Sequence, residues 1–238
     1  MTEPRRRKPF AALQRLAQLA TPAVEAVQER CDLCSEPIPL AHRHLLEVSA
    51  RQVQCACRAC SLLFDQVAAS RGKYRLIPER CLSLEDFQIS DAQWESLQIP
   101  VGMAFFCYST PAQRIVACYP SPMGATEALL ELRTWGELEE SNPMLKALQH
   151  DVEALLVNRA RGGRQYFVVP IDECYKLVGI IRIHWKGLGG GPVVWQEIGH
   201  FFAALKERSQ AMRRQDCAPA HLEKNEAAGE EQWQSSAT

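Results

Sequence analysis

The chain has 238 residues, 47% of them hydrophobic, and its 27 basic against 28 acidic side chains leave a net charge of −1. So balanced a charge gives no global pull toward nucleic acid or an anionic membrane surface, and no stretch approaches the ~18 consecutive apolar residues of a membrane span. A chain of this length buries one good core, or two modest ones, without cross-links, so its ten cysteines are not needed as staples.

From the N-terminus, Arg5-Arg6-Arg7-Lys8-Pro9-Phe10 has the basic front of an export signal, but Gln14, Arg15 and Gln18 interrupt the apolar stretch that should follow. Residues 1–27 are expected instead to be an amphipathic or partly disordered segment, with Phe10, Leu13, Leu16, Ala17 and Ala20 on one face.

Five of the cysteines fall between residues 31 and 60, as Cys31-Asp-Leu-Cys34 and Cys55-Ala-Cys57-Arg-Ala-Cys60. Two Cys-x2-Cys turns about twenty residues apart let four thiolates close a tetrahedron around a metal ion. Cys31, Cys34, Cys57 and Cys60 are therefore the expected ligands of one structural Zn2+, in a closed shell with no position kept for water. Iron is the alternative, because paired cysteine turns also make rubredoxin-type centres. Zinc is preferred because Ser35 and Ser61 stand where such iron-binding turns usually carry Gly, and neither turn contains Pro.

Five thiols compete for four places. Cys55 would point to the same face as Cys57 if that segment were extended, as a spare or alternative ligand. His42 and His44 are read as hydrogen-bonding groups within the module, with entry into the metal shell as the other option. A knuckle at 31–34, a Pro37-Ile38-Pro39 loop, a strand around His44–Val48, a turn at 49–51, a strand around Gln52–Ala56 and a helix opening at Cys60 give the treble-clef order of elements over residues 28–80.

Residues 81–209 predict an α/β domain, a sheet of about four strands covered by helices. The fold class is thus α+β, a small treble-clef-like zinc module followed by that domain. Val101–Tyr108 and Arg114–Tyr119 read as a hairpin, and Pro120-Ser-Pro-Met-Gly124 as a strand break before a helix capped by Thr126 and carrying Leu129, Leu130 and Leu132. Glu153–Arg159 and Gln165–Ile171 read as strands around Arg161-Gly162-Gly163. Asp172 is placed as the cap of a helix, or the start of a strand, carrying Tyr175, Leu177, Val178, Ile180 and Ile181. A last helix carries Trp195, Ile198, Phe201, Phe202 and Leu205 at helical spacing.

Chemistry is sparse in this second unit. Trp185-Lys-Gly-Leu-Gly-Gly-Gly191 lacks the strand-to-helix order of a phosphate cradle. His184 and His200 have no nucleophile at an activating spacing, and Asp151, Glu153, Asp172 and Glu173 are read as cap or surface acids rather than general bases. Cys81, Cys107, Cys118, Cys174 and Cys217 follow no framework spacing; Cys107, Cys118 and Cys174 lie in apolar runs as small core residues, which places the chain in a reducing cytoplasm. Residues 210–238, rich in Ala, Glu, Gln and Ser, are expected to be a disordered tail.

The cysteine turns with His42-Arg-His44-Leu-Leu, together with Tyr119-Pro-Ser-Pro-Met-Gly-Ala-Thr-Glu127, Glu153-Ala-Leu-Leu-Val-Asn-Arg159 and Trp185-Lys-Gly187, resemble a bacterial family of unknown function, the DUF5947 family. The resemblance covers about residues 28–208. It implies an accessory or assembly context, since members are often encoded beside actinobacterial-type nickel–iron uptake hydrogenases, but no activity and no site. The leading functional reading is a non-enzymatic, zinc-stabilised accessory protein that binds a protein client, such as a hydrogenase subunit or maturation factor. A redox or metal-delivery protein using the cysteine cluster is the alternative. Nucleic-acid binding through Arg58, Arg71, Lys73, Tyr74 and Arg75 ranks below both, for want of a strongly basic domain.

Overall fold

A computed structural model describes residues 28–128, 132–187, 189–213 and 216. The N-terminal amphipathic segment, Leu129, Leu130, Cys217 and nearly all of the tail lie outside the described residues. Among the described residues the strands form a three-stranded and a seven-stranded sheet, so the chain is α+β.

The small sheet belongs to the cysteine module. Strands β1 (Arg43–Glu47) and β2 (Gln52–Ala56) form an antiparallel hairpin, and β3 (Tyr74–Leu76) pairs on the other side of β1. Helix α1 (Arg58–Asp65) follows β2 directly, and a short helix α2 (Val67–Ser70) leads to β3. Side chains alternate across a strand, and the module uses both faces. Leu45 packs with Cys31, Ile38, Ala56 and Cys60 in a small core. Its neighbour Leu46, with Ile77, enters the large core beside Phe105, Leu156 and Leu177.

The large sheet runs β10-β4-β9-β8-β5-β6-β7, with β4 at Leu82–Leu84, β5 at Met103–Ser109, β6 at Arg114–Ser121, β7 at Gly124–Ala128, β8 at Glu153–Asn158, β9 at Gln165–Pro170 and β10 at Gln210–Met212. Its inner strands are apolar on both faces, as expected of a sheet covered on both sides. Along β5 and β8, Met103, Phe105, Ala154 and Leu156 face one core, and Ala104, Phe106, Leu155 and Val157 face the other. The first core is closed by α5 (Ile171–His184) through Cys174, Leu177, Val178 and Ile181, and by α6 (Gly191–Arg208) through Val194, Ile198, Phe201, Phe202 and Leu205. The second is closed by α3 (Asp91–Ser96), α4 (Leu132–Ser141) and the 3-10 turn Pro143–Ala147, with Trp135, Leu138, Met144 and Leu145 buried.

Several expectations change. The sheet has seven strands rather than about four, because β4 and β10, three residues each, extend one edge and β7 the other. Pro120 does not break β6. It lies past Cys118, the last β6 residue paired with β5, so its missing N–H leaves that ladder intact. Thr126 caps no helix; it sits in β7 opposite Tyr119, across a turn in which Gly124 takes a φ of 127°. Gln210–Met212, placed in the tail, form β10 against β4.

The acids are the largest departure. Glu153 is not a surface group: it is fully buried, and Arg80 grips it with Nη2 donating to Oε2 at 2.7 Å and Nε to Oε1, while the Gln149 N–H adds a bond to Oε2 at 2.9 Å. Asp151, also buried, accepts from the N–H of Thr110 at 2.7 Å. Glu173 pairs with Arg208. Asp172 is not the cap of α5; Pro170 is, and the Asp172 carboxylate reaches His44 at 2.8 Å.

Arg80→Ala is expected to cost roughly 3 kcal/mol or more, because it leaves a buried carboxylate unpaired. Arg43→Ala, which removes a pair between exposed Arg43 and Glu79, should cost less than about 1 kcal/mol. Urea denaturation of the two variants measures the difference; equal losses would mean that the buried fork holds no more than a surface pair does.

Candidate metal centre

The knuckle folds because short backbone bonds close it. The Ser35 N–H donates to the Cys31 carbonyl at 2.8 Å and the Cys31 N–H to that of Glu36 at 2.8 Å. Ser35 sits in the left-handed region at a φ of 63°, where a non-glycine residue is uncommon. A serine thus reaches a conformation that glycine adopts more readily, so the missing glycine weighs less against iron than the sequence alone implies. The knuckle is tied to β2 twice: the Asp32 N–H donates to the Cys55 carbonyl at 2.9 Å, and the Cys55 N–H to Asp32 Oδ2 at 2.6 Å.

The second turn is a helix start. Strand β2 ends at Ala56, and Cys57 is the N-cap of α1, its sulfur accepting from the Cys60 N–H at 3.4 Å. A helix N-terminus leaves backbone N–H groups without partners in the helix, and this sulfur meets one of them. Cys57 keeps extended backbone angles at the cap, with φ −67° and ψ 163°, yet its sulfur gathers with Cys31, Cys34 and Cys60, while that of Cys55 gathers with His42 and His44.

One ligand atom from each of Cys31, Cys34, Cys57 and Cys60 lies within 4.8 Å of the others. The Cys34 and Cys57 sulfurs are 3.7 Å apart. That is far beyond a disulfide bond and close to the ~3.8 Å edge of a tetrahedron with metal–sulfur bonds near 2.3 Å. All nine described cysteines are free thiols. Cys31 and Cys60 are buried and Cys34 is exposed, so the cluster lies at the rim of the small core.

Electrostatics within the cluster fit a cation. Burial works to raise the Cys31 pKa, but N–H groups of the Cys57, Leu33 and Cys34 backbone together bring it down to about 6. Cys60 moves the opposite way, pushed up first by burial and then by the sulfurs of Cys34, Cys57 and Cys31. One thiolate forms easily and the next is opposed, which is the condition a bound cation relieves. The cluster could therefore bind a metal ion.

Cys55 is grouped elsewhere, with His42 and His44, one ligand atom of each lying within 4.8 Å of the others. The hydrogen bond to Asp172, opposed by desolvation, raises the His44 pKa. Sequence reading missed Asp172 in this role, since it lies 128 residues from His44 and carries no local signal of it.

The other candidates separate. His200 is on α6 near Glu197 at 3.7 Å. The glycine-rich loop is a clasp between α5 and α6, with the Trp185 indole N–H donating to the Gly187 carbonyl at 2.9 Å and that of Trp195 to Gly189 at 3.1 Å. Of the basic set, Lys73 pairs with Glu47 at 3.3 Å and Arg75 with Asp151 at 3.5 Å, while Tyr74 packs edge-on against Phe64.

A model for a family of unknown function, DUF5947, matches residues 30–209, which takes in both the cysteine cluster and the large sheet. Neither the curated proteins nor the solved structures contain a match to the chain.

Replacing any one of Cys31, Cys34, Cys57 or Cys60 by Ser is expected to release the ion of this cluster and melt the module, since in so small a core metal binding supplies folding energy. Cys55→Ser should leave that ion in place. Metal analysis of anaerobically purified variants distinguishes the two; loss from Cys55→Ser with retention in Cys57→Ser would exchange the two assignments.

Proposed function

For a member of the DUF5947 family, to which this chain belongs, we propose a non-enzymatic accessory role in the cytoplasm: Cys31, Cys34, Cys57 and Cys60 hold one Zn2+, and the stiffened module docks a protein client. The observation that carries this reading is the apolar surface beside the cluster. The turn that supplies Cys57 and Cys60 opens α1, where Leu62 and Leu63 are 60% and 54% exposed, and Val67 follows at 73%. A metal-fixed helix start holds these side chains in place before a partner arrives, which lowers the ordering cost of association. Met123, 91% exposed at the β6–β7 turn, offers a second contact. The turn itself is set by the Ser121 hydroxyl, which accepts from the Met123 N–H at 3.2 Å and donates to the Gly124 carbonyl at 2.9 Å.

Four thiolates suit zinc and iron alike; zinc is put first in this reading because neither cysteine turn contains Pro and Ser61 follows the second. Asp151, Glu153, Asp172 and Glu173 each hold a structural pair, which supports a binding role over acid–base catalysis. Among the described residues no helix is long and apolar enough to cross a membrane. A hydrogenase subunit or maturation factor is the client we put forward, from the gene neighbourhood that the family resemblance implies.

Affinity capture from a native host is expected to recover such a subunit or factor, with recovery falling at least tenfold in Leu62→Asp/Leu63→Asp, a change that leaves the metal ligands untouched. If no hydrogenase component is recovered and the purified protein cycles electrons through its cysteines, the redox alternative takes the place of this reading.

A further inference from the structure

His44 and Cys55 come together by strand geometry. His44 in β1 is the direct cross-strand partner of Cys55 in β2, and directly opposed residues in an antiparallel pair project to the same face. His42 stands just before β1, next to Arg43, and its ring rather than the strand period brings it to His44. The two imidazole rings meet edge to face with centroids 4.8 Å apart. One imidazole or thiol donor atom from each of the three residues lies within 4.8 Å of the other two. A tetrahedral ion with bonds of about 2.0–2.3 Å places its donors roughly 3.3–3.8 Å apart, so small side-chain rotations close the group.

The hydrogen bonds of the two histidines fix which nitrogen is free. His42 Nδ1 is 2.9 Å from the Pro39 carbonyl oxygen, which can only accept, so Nδ1 carries the proton and Nε2 of the neutral ring holds a lone pair. The His42 side chain is 7% exposed, and its Nε2 is buried with no hydrogen-bond partner. A lone pair left so is costly and rare. His44 repeats the arrangement with a stronger partner: its Nδ1 donates to the Asp172 carboxylate at 2.8 Å, leaving Nε2 as the donor. Metal-bound histidines almost always give their second ring N–H to a carboxylate or a carbonyl, which orients the ring and makes it a better ligand. Both forms of that outer support stand here before any ion.

We propose that His42 Nε2, His44 Nε2 and Cys55 Sγ form a second metal site, separate from the four-cysteine cluster and specific for a borderline divalent transition ion, Zn2+ above all. Two imidazoles and one thiolate suit zinc better than magnesium or calcium, which take oxygen donors. Binding releases the Cys55 thiol proton to solvent and leaves both Nδ1 protons on their oxygen partners. Three protein donors leave a fourth position for water or for a donor from another molecule, the coordination of reactive rather than purely structural zinc. His42 and His44 also line a cleft of about 440 Å3 with Asp172, Glu173 and Arg208, which borders the proposed site. The Asp172 link ties the site to α5, and with it the hairpin to the large sheet.

Full-length protein loaded with excess ZnCl2 and desalted is expected to retain two zinc ions per chain. Cys55→Ser and the triple variant His42→Ala/His44→Ala/Cys55→Ser should each retain one, with unchanged far-ultraviolet circular dichroism. Asp172→Asn, which keeps the side-chain shape, should weaken the second ion alone by roughly 10–100-fold. With Co2+ in place of Zn2+, the second equivalent should add roughly a quarter of the thiolate-to-metal absorption of the first, one sulfur against four. A single ion in the wild-type protein under excess zinc, or two ions retained by the triple variant, overturns the proposal. Should the triple variant fail to fold, the wild-type stoichiometry and Asp172→Asn decide it.

Discussion

The placement of the cysteine module depends on one buried charge. Glu153 opens the central strand β8 with no solvent exposure, and its two oxygens are met by Arg80, four residues after β3. A carboxylate in that position is tolerable only with such a partner. The partner comes from the segment joining the module to the sheet. The two units therefore meet in one arrangement, and other polar contacts follow the same seam: Arg51 to Ser109 and Glu127, Arg75 to Asp151, and His44 to Asp172. Apolar packing runs beneath them, because Leu46 and Ile77 of the module lie in the same core as Phe202 and Leu205 of α6.

Local patterns were legible. The Cys-x2-Cys spacing identifies Cys31, Cys34, Cys57 and Cys60, and the structure brings their sulfurs together; alternating and apolar runs mark β1, β2, β5, β8 and β9 close to their observed bounds. Long-range pairing was not. Strands of three residues, such as β4 and β10, carry too little pattern to be distinguished from loop, and they exist because a neighbouring edge supplies hydrogen bonds. Glu153 looks like any acid at a strand start until Arg80 is seen beside it. Spacing alone did not divide Cys55 from Cys57, which gather with different donors, because the partners of Cys55 are histidines on the neighbouring strand and just before it.

The β1–β2 hairpin gives the module a division of labour. One end of it, with the knuckle and the start of α1, gathers sulfur alone, and a shell of four thiolates has every position filled. Its His44–Cys55 rung, supported by Asp172 from α5, mixes nitrogen and sulfur. The hairpin thus stands between two groups of donor side chains of different chemistry, Cys31, Cys34, Cys57 and Cys60 on one side and His42, His44 and Cys55 on the other.

The parallel pairing of β10 with β4 has a bearing on how the polypeptide emerges from the ribosome. The module is continuous in sequence from Cys31 to Leu76 and can assemble as soon as it is synthesised. Strand β4 follows at once but pairs with β9 and β10, which are made only after β5 to β8. Throughout that interval β4 presents unpaired edges, the feature most prone to join a foreign strand. Its brevity, three residues, gives an incoming chain little to grip while the nascent protein waits for β9 and β10.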